Sequence, residues 1–404
     1  MSPVRVFIFL AAILGLAHAA VTPPLRVPDE VTHFWRAVSV SRGTFVPKAG
    51  PRGAVAPLPS GFRELAFVYL VDAKVSRDDV RVAREVELHE ELPVELPFVA
   101  SYTPVAYTPQ ILAAFITRLF HARPFFVFYA GRLAALAAYI ALIALAIRIT
   151  PHLPWAFVAA ALLPMSLSLA ASWSADAMAI ALAFLLTAAL LRKWQPLIAF
   201  LLGLVKPGYF LIAVMTWRRW LTVVAAIAGS AISIYAASQF PAPTRGSTSM
   251  QWLCIRSHPL ATFGIVLRDY AENAFTYLEQ MVGRLGLLDV FLPMWALWLA
   301  WLLLAAIAFT AGERIPRATR IGALLATIAT LLGTSFTLYV TWTSPCAPVV
   351  EGVQGRYFIP ILPMALFAIG NPWWKGKRIG AFAVAIVSVV VNVAALYAMI
   401  EAAY

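Results

Sequence analysis

Residues 124–147 read PFFVFYAGRLAALAAYIALIALAI, and Arg132 carries the only charge among them. As a helix rising ~1.5 Å per residue, such a run crosses the ~30 Å hydrocarbon core of a bilayer. Lipid offers backbone N–H and C=O groups no partner, so the helix, which satisfies them within itself, is the expected conformation. Barrel strands would alternate polar and apolar positions, and this stretch does not. Apolar segments recur near 4–20, 102–120, 154–172, 174–191, 197–216, 220–239, 288–310, 320–342, 356–370 and 380–400. The fold class expected is therefore an all-α polytopic membrane protein, a single membrane domain over residues 1–404 with about 10–11 transmembrane helices.

Composition agrees. Hydrophobic residues make up 62% of the chain and charged residues 12%, against about 25% in soluble domains. The net charge of +12 comes from 31 Lys and Arg against 19 Asp and Glu. These basic residues punctuate apolar runs and form no stripe, which argues against nucleic acid and for cytoplasmic helix ends facing anionic headgroups. The strongest such markers are Trp217-Arg218-Arg219-Trp220, residues 313–320 (ERIPRATR) and residues 375–378 (KGKR). They set the loops at 240–287 and 343–355 on the outer face, with an interfacial helix expected within 258–285.

Arg5 before the first segment and Ala17-His18-Ala19 at its end also imitate a cleavable signal peptide. Retained or cleaved, the N-terminus starts in the cytoplasm and residue 21 onward emerges outside. Two cysteines, Cys254 and Cys346, are too few for a disulfide framework or a cysteine-built zinc site. Both fall in outward loops, as a disulfide or as two separate thiols.

The long loop at 21–100 is the main polar region. Its residues 72–96 (DAKVSRDDVRVAREVELHEELPVEL) read as a solvated surface, and His89-Glu90 lacks the second histidine of a zinc-binding HExxH. Its start, residues 26–43 (RVPDEVTHFWRAVSVSRG), predicts a short amphipathic helix at the outer interface. Pro28 suits the first turn, and acids at 29 and 30 complement the helix N-terminus. At 100° per residue Asp29, His33, Arg36 and Val40 share one stripe, with Val31, Phe34, Trp35 and Val38 opposite. Either this is an ordinary interfacial helix whose charges cap and pair, or the stripe faces a cleft. In the second case a carboxylate there takes a proton from a hydroxyl nucleophile or holds a divalent ion.

Seven stretches carry a resemblance: PPLRVPDEVTHFWRA (23–37), SYTPVAYTPQ (101–110), GRLAAL (131–136), LPMSLSLAASWSADA (163–177), LVKPGYFLI (204–212), GRLGLLD (283–289) and VQGRYFIPILP (353–363). In this order the chain resembles the bacterial membrane proteins of domain of unknown function family 2142. PDExxH together with QGRYxxP is the most specific part. That family looks related to the GT-C glycosyltransferases, whose first outward loop presents an acid where a sugar leaves a polyprenyl-phosphate carrier.

The resemblance implies Asp29 as general base, Glu30 as its assistant or a metal ligand, and His33 and Arg36 lining the same cleft. It also implies a lipid-linked donor, since such proteins lack a nucleotide-sugar fold. A site with Asp29 alone works without a metal, whereas close approach of Asp29, Glu30 and Asp176 would favour a divalent cation, Mg or Mn.

Asp176 lies between two apolar runs, as a second acid of the site or as a helix-start acid after Ser174. Lys206 sits at a Lys-Pro-Gly break that splits 197–216 into two half-helices entering and leaving from the cytoplasm. It binds a carrier phosphate, or it snorkels or pairs with Asp176. Gln354, Arg356 and Tyr357 are expected to bind phosphate, or to anchor a helix end. Arg132 reads as flanking a span, and Arg284 with Asp289 as a structural pair.

The function expected is inverting transfer of a sugar from a polyprenyl-phosphate donor to a glycan, lipid or protein acceptor at the outer face of a bacterial plasma membrane. The alternatives are a transporter or flippase of lipid-linked saccharides, and an envelope polysaccharide polymerase or ligase. A transporter would usually show two related halves with matched broken helices, and only one such break is visible here.

Overall fold

The computed structural model describes residues 2–50, 53–72, 74–96, 99, 102–190, 192–216, 218–240, 248–371 and 373–404. Apolar helix α1 (Pro3–Val21) leads into α2 (Glu30–Ser41), then strands β1 (Lys48–Gly50) and β2 (Gly53–Pro59). Helices α3 (Gly61–Leu70) and α4 (Arg77–Glu85) follow, and β3 (Glu91–Glu95) closes an antiparallel sheet in the order β1-β2-β3. This sheet corrects the all-α expectation. Its signal is short: Ala54, Ala56 and Leu58 alternate with less buried neighbours, so one face of β2 is apolar. The run 72–96 is largely exposed as expected, with Ser76 and Asp79 forming a capping box at α4.

A 3-10 turn (Pro104–Tyr107) precedes α5 (Thr108–Leu119) and α6 (Pro124–Ile149). Then come α7 (Pro154–Ala161), α8 (Pro164–Ala170), α9 (Asp176–Ala188), α10 (Gln195–Val205), a 3-10 segment (Pro207–Thr216) and α11 (Trp220–Ser238). Helices α12 (Thr248–Ser257) and α13 (Pro259–Gly283) lead through a hairpin, β4 (Arg284–Leu285) and β5 (Val290–Phe291), to α14 (Met294–Phe309). The chain ends with α15 (Arg317–Thr341), a 3-10 turn (Gly355–Ile361), α16 (Leu362–Ile369) and α17 (Ala381–Ala403).

Five of these helices, α1, α6, α11, α15 and α17, are long and apolar enough to cross a membrane. Other expected segments are interrupted: Pro164 splits 154–172 into α7 and α8, and the α-helical part of 197–216 ends at Val205.

Contacts define two ends of the bundle. At the sheet end Arg123 pairs with Glu87 at 3.0 Å, Val75 N–H donates to Ala403 O at 2.8 Å, and the Tyr404 hydroxyl donates to Val21 O at 3.3 Å. At the other end Arg219 donates to Arg192 O at 3.0 Å, Leu153 N–H to Glu313 at 3.1 Å, and Gly312 N–H to Asn371 O at 3.1 Å. The basic runs therefore gather at one end; Trp217 and residues 241–247, read above as marker and outward loop, lie outside the described residues. Because Arg192 and Arg219 meet, α10 and the segment 207–216 form a hairpin with Lys206 at its tip, as the Lys-Pro-Gly break implied. The Thr103 hydroxyl donates to Leu204 O at 2.9 Å, so α5 starts beside that tip and runs back toward Arg123. The segment 102–120 is thus a second short hairpin arm and not a full crossing.

One face of α1 packs into the bundle, where its His18 Nε2 meets Asn392 Oδ1 of α17 at 3.0 Å and Phe7 and Ala11 are fully buried, while Phe9, Ile13 and Leu16 are exposed on the other. Cys254 and Cys346 are joined as a disulfide with Cα atoms 5.6 Å apart, which resolves that alternative and tethers α12 to the loop before residue 355. The expected Arg284–Asp289 pair is not formed. Arg284 Nε donates to Leu288 O at 2.8 Å, and Asp289 accepts Leu287 N–H at 2.8 Å, so each stabilises the hairpin separately.

Candidate functional site

The site forms where α2 begins. Asp29 adopts φ 62°, ψ 5° and its side chain caps nothing. The left-handed region is costly for a non-glycine residue, so neighbouring contacts must hold it there. With no capping duty, the carboxylate is left to accept from Arg356 Nη2 at 2.8 Å.

Arg356 enters from the other end of the sequence. Gly355 makes this possible: a Cβ there would lie 2.0 Å from Tyr277 O, and its N–H donates to Gln280 Oε1 at 2.6 Å. The turn consequently sits directly on α13 and sends Arg356 inward, where it is 2% exposed. Its Nε donates to Gln354 Oε1 at 2.6 Å, its Nη1 to Pro28 O at 3.4 Å, and Nη1 lies 3.5 Å from Asp176 Oδ2. Asp176, the first residue of α9, also accepts from the Lys206 ammonium. That ammonium lies 4.4 Å from the centroid of the Tyr357 ring, and Tyr209 donates to Tyr357 O at 2.8 Å. Two carboxylates and two cations thus alternate in one chain, Asp29–Arg356–Asp176–Lys206, with only the Asp29 carboxylate well exposed.

His33 lies beside this chain, close enough to feel all four of its charges. Its Nδ1 lies 2.6 Å from the Tyr107 hydroxyl, and Tyr102 stands edge-on to its ring with centroids 5.4 Å apart. Burial lowers its pKa to about 4, against the upward pull of Asp29 and Asp176. Desolvation by the surrounding protein would push the Asp29 carboxyl up even though the side chain keeps an exposed face, but the Arg356 guanidinium and His33 outweigh it and hold it below the usual carboxylate range. At neutral pH the site therefore presents an ionised Asp29 beside a neutral imidazole.

The histidine makes a checkable pH dependence. Its folded value is depressed from about 6.5, so between pH ~6.5 and ~4 the unfolded chain binds more protons. The stabilisation is full above that window and is lost as pH falls through it, at up to about 1.4 kcal/mol per pH unit. His33→Gln, which cannot titrate, is expected to reduce the slope of stability against pH across this window by the contribution of one histidine; an unchanged slope would show that His33 contributes none of it.

Two expected members stand elsewhere. Arg36 is buried and donates to the carbonyls of Thr44 and Phe45 at 3.1 and 2.9 Å, so it fastens the chain after α2 and lines no cleft. Glu30 is fully buried on the side away from Arg356, gripped by Arg132 at 3.0 and 2.8 Å. The expected Asp29–Glu30–Asp176 metal set therefore does not converge, and among the described residues no three His, Cys, Asp or Glu side chains are arranged to hold a metal ion. Helix α2 is also more enclosed than an interfacial helix: it packs against α5 and β2, and although Asp29 just before it is exposed, none of its own residues is.

Tyr102, Tyr107, Trp173 and Tyr209, none of them among the expected residues, join these contacts, and Arg132, expected at the edge of a span, is buried behind Glu30. The signal for Arg132 was present, since a charge inside an apolar run needs a partner. The tyrosines gave none, because Tyr is also ordinary at membrane interfaces.

Of the seven stretches quoted above, six supply residues to this site or to the Glu30 contacts behind it; the seventh, GRLGLLD, forms the hairpin after α13. Residues 11–365 match the family model described as "Predicted membrane protein (DUF2142)". No curated protein and no solved structure matches the chain.

Proposed function

The chain belongs to the DUF2142 family of predicted membrane proteins, and since that description carries no activity, we propose a function from the site: inverting glycosyl transfer from a polyprenyl-phosphate sugar to a hydroxyl acceptor of the cell envelope. The bundle, with its acid-bearing first loop, is read as GT-C-like, and the membrane as a bacterial plasma membrane. The basic end is read as cytoplasmic, which sets the N-terminus inside and the site on the outer side.

The observation that carries the reading is the alternation of Asp29, Arg356, Asp176 and Lys206 in one chain of ion pairs that ends on the exposed Asp29 carboxylate. Arg356 and Lys206 would take the phosphate of the donor, the guanidinium through two parallel N–H groups and the ammonium as a point charge. That withdraws Arg356 from Asp29, whose freed carboxylate accepts the proton of the acceptor hydroxyl. The acceptor oxygen bonds to the anomeric carbon as the bond from that carbon to the phosphate oxygen breaks. The leaving group is polyprenyl phosphate, and the proton passes from Asp29 to water. Tyr357 and Tyr209 stand against Lys206 and would pack on the sugar. His33 would hydrogen-bond it.

Vesicles containing the protein, supplied with polyprenyl-phosphate sugars and an envelope extract as acceptor, test this. Arg356→Gln and Lys206→Gln each remove a charge-assisted hydrogen bond of about 1.5–3 kcal/mol, so KM for the lipid donor is expected to rise roughly 10- to 150-fold. An unchanged KM in both variants would remove the phosphate from this site. Movement of labelled lipid across the bilayer with no new glycosidic bond would replace transfer by the flippase reading.

A further inference from the structure

We infer that Glu30 and Arg132 are positioning residues that set both acids of the site; the inference rests on the transfer reading only for its kinetic arm. Glu30 follows Asp29 directly. Its carboxylate is fully buried and takes both Arg132 Nε, at 3.0 Å, and Nη2, at 2.8 Å. The same carboxylate accepts Trp173 N–H at 3.1 Å. From Trp173 the chain is stiffened by Ser174 N–H to Ser172 Oγ and Asp176 N–H to Ser174 Oγ, both 3.1 Å, and so reaches Asp176. One carboxylate is therefore the common origin of two segments, one ending in Asp29 and the other in Asp176.

Arg132 fixes that origin to rigid structure. Its remaining N–H groups donate to Ala19 O at 3.1 Å, Thr22 O at 2.6 Å and Pro23 O at 3.0 Å, which closes the C-terminal end of α1. Its guanidinium carbon lies 4.7 Å from the centroid of Phe128, and the Trp173 ring is seated on Gly131, where a Cβ would be 1.9 Å away. The planar fork fixes orientation as well as distance, which a lysine ammonium cannot do. Asp29 needs such a fixture because its backbone is left-handed and its own side chain makes no cap. Preorganised supports of this kind hold reacting groups to within a fraction of an ångström.

The test uses the full chain in lipid nanodiscs and the isosteric Glu30→Gln with Arg132→Lys. Asn392→Ala, which cuts the buried link between α1 and α17, serves as a destabilised control away from the site. The first readout is mass-spectrometric labelling of Asp29 by a water-soluble carbodiimide. In both positioning variants Asp29 is expected to shift off Arg356 and label several-fold faster, while the control, though less stable, labels like the parent. Labelling in Glu30→Gln no faster than in the control would overturn the inference, even should Arg132→Lys fail to fold. The second readout is transfer: kcat is expected to fall about 10- to 100-fold with donor KM changed less than about threefold, the signature of a misplaced reacting group. Absence of transfer in the parent protein would count against the glycosyltransferase reading alone, and the labelling result would still decide the positioning role.

Discussion

Asp29→Asn is expected to abolish sugar transfer while leaving the protein folded and the site assembled. The amide keeps the shape of the carboxylate, and its oxygen can still accept from Arg356 Nη2, now 2.8 Å from Asp29 Oδ2. The Asp29 side chain is exposed, so no buried group loses its partner apart from Arg356, which retains Gln354, Pro28 and Asp176. What disappears is the basic lone pair that accepts the acceptor's proton. General-base contributions run to about 10²–10⁴-fold, and kcat should drop by at least that order with little change in donor KM. The vesicle assay reads the rate, and the thermal midpoint of the purified variant verifies folding. Transfer within about threefold of the parent, against an expected loss of this size, would end Asp29's role as base.

The second large effect is on stability. Arg132→Met is expected to cost about 3–5 kcal/mol, because it strands the fully buried Glu30 carboxylate without its counter-charge. Three carbonyls at the end of α1 lose a donor at the same time. The double variant Glu30→Gln/Arg132→Met should recover part of that loss, since an amide is far cheaper to bury than an unpaired carboxylate. Denaturant titration in mixed micelles measures both. A single-variant loss below about 1 kcal/mol would mean that water or another group already serves Glu30.

The two pairs show why neighbouring acids with the same sequence signal have different fates. Asp29 and Glu30 are adjacent and both acidic, and a stripe drawn at 100° per residue puts Asp29 with His33 and Arg36. Of that stripe, Asp29 and His33 face Arg356 and Tyr107. Arg36 turns elsewhere, because the chain after α2 turns back and offers the carbonyls of Thr44 and Phe45 within reach of that guanidinium. Glu30 was drawn inward by Arg132, a residue 102 positions away. Lys206 and Asp176 were legible as candidates for each other, since a charge in an apolar stretch must find its opposite.

The sequence alone determined that the backbone is helical through its apolar runs, because lipid leaves no other way to satisfy peptide groups. It also determined the hairpin at Lys206-Pro207-Gly208, the gathering of basic residues at one end, and the family, since each is local or additive along the chain. Only the tertiary structure decided which polar residues meet. Asp29 and Arg356 are 327 positions apart, and their pairing depends on the contact of Gly355 with Tyr277 and on the left-handed backbone at Asp29. The partner of a buried charge is set by where helices pack, and periodicity along one helix carries no information about the register of another.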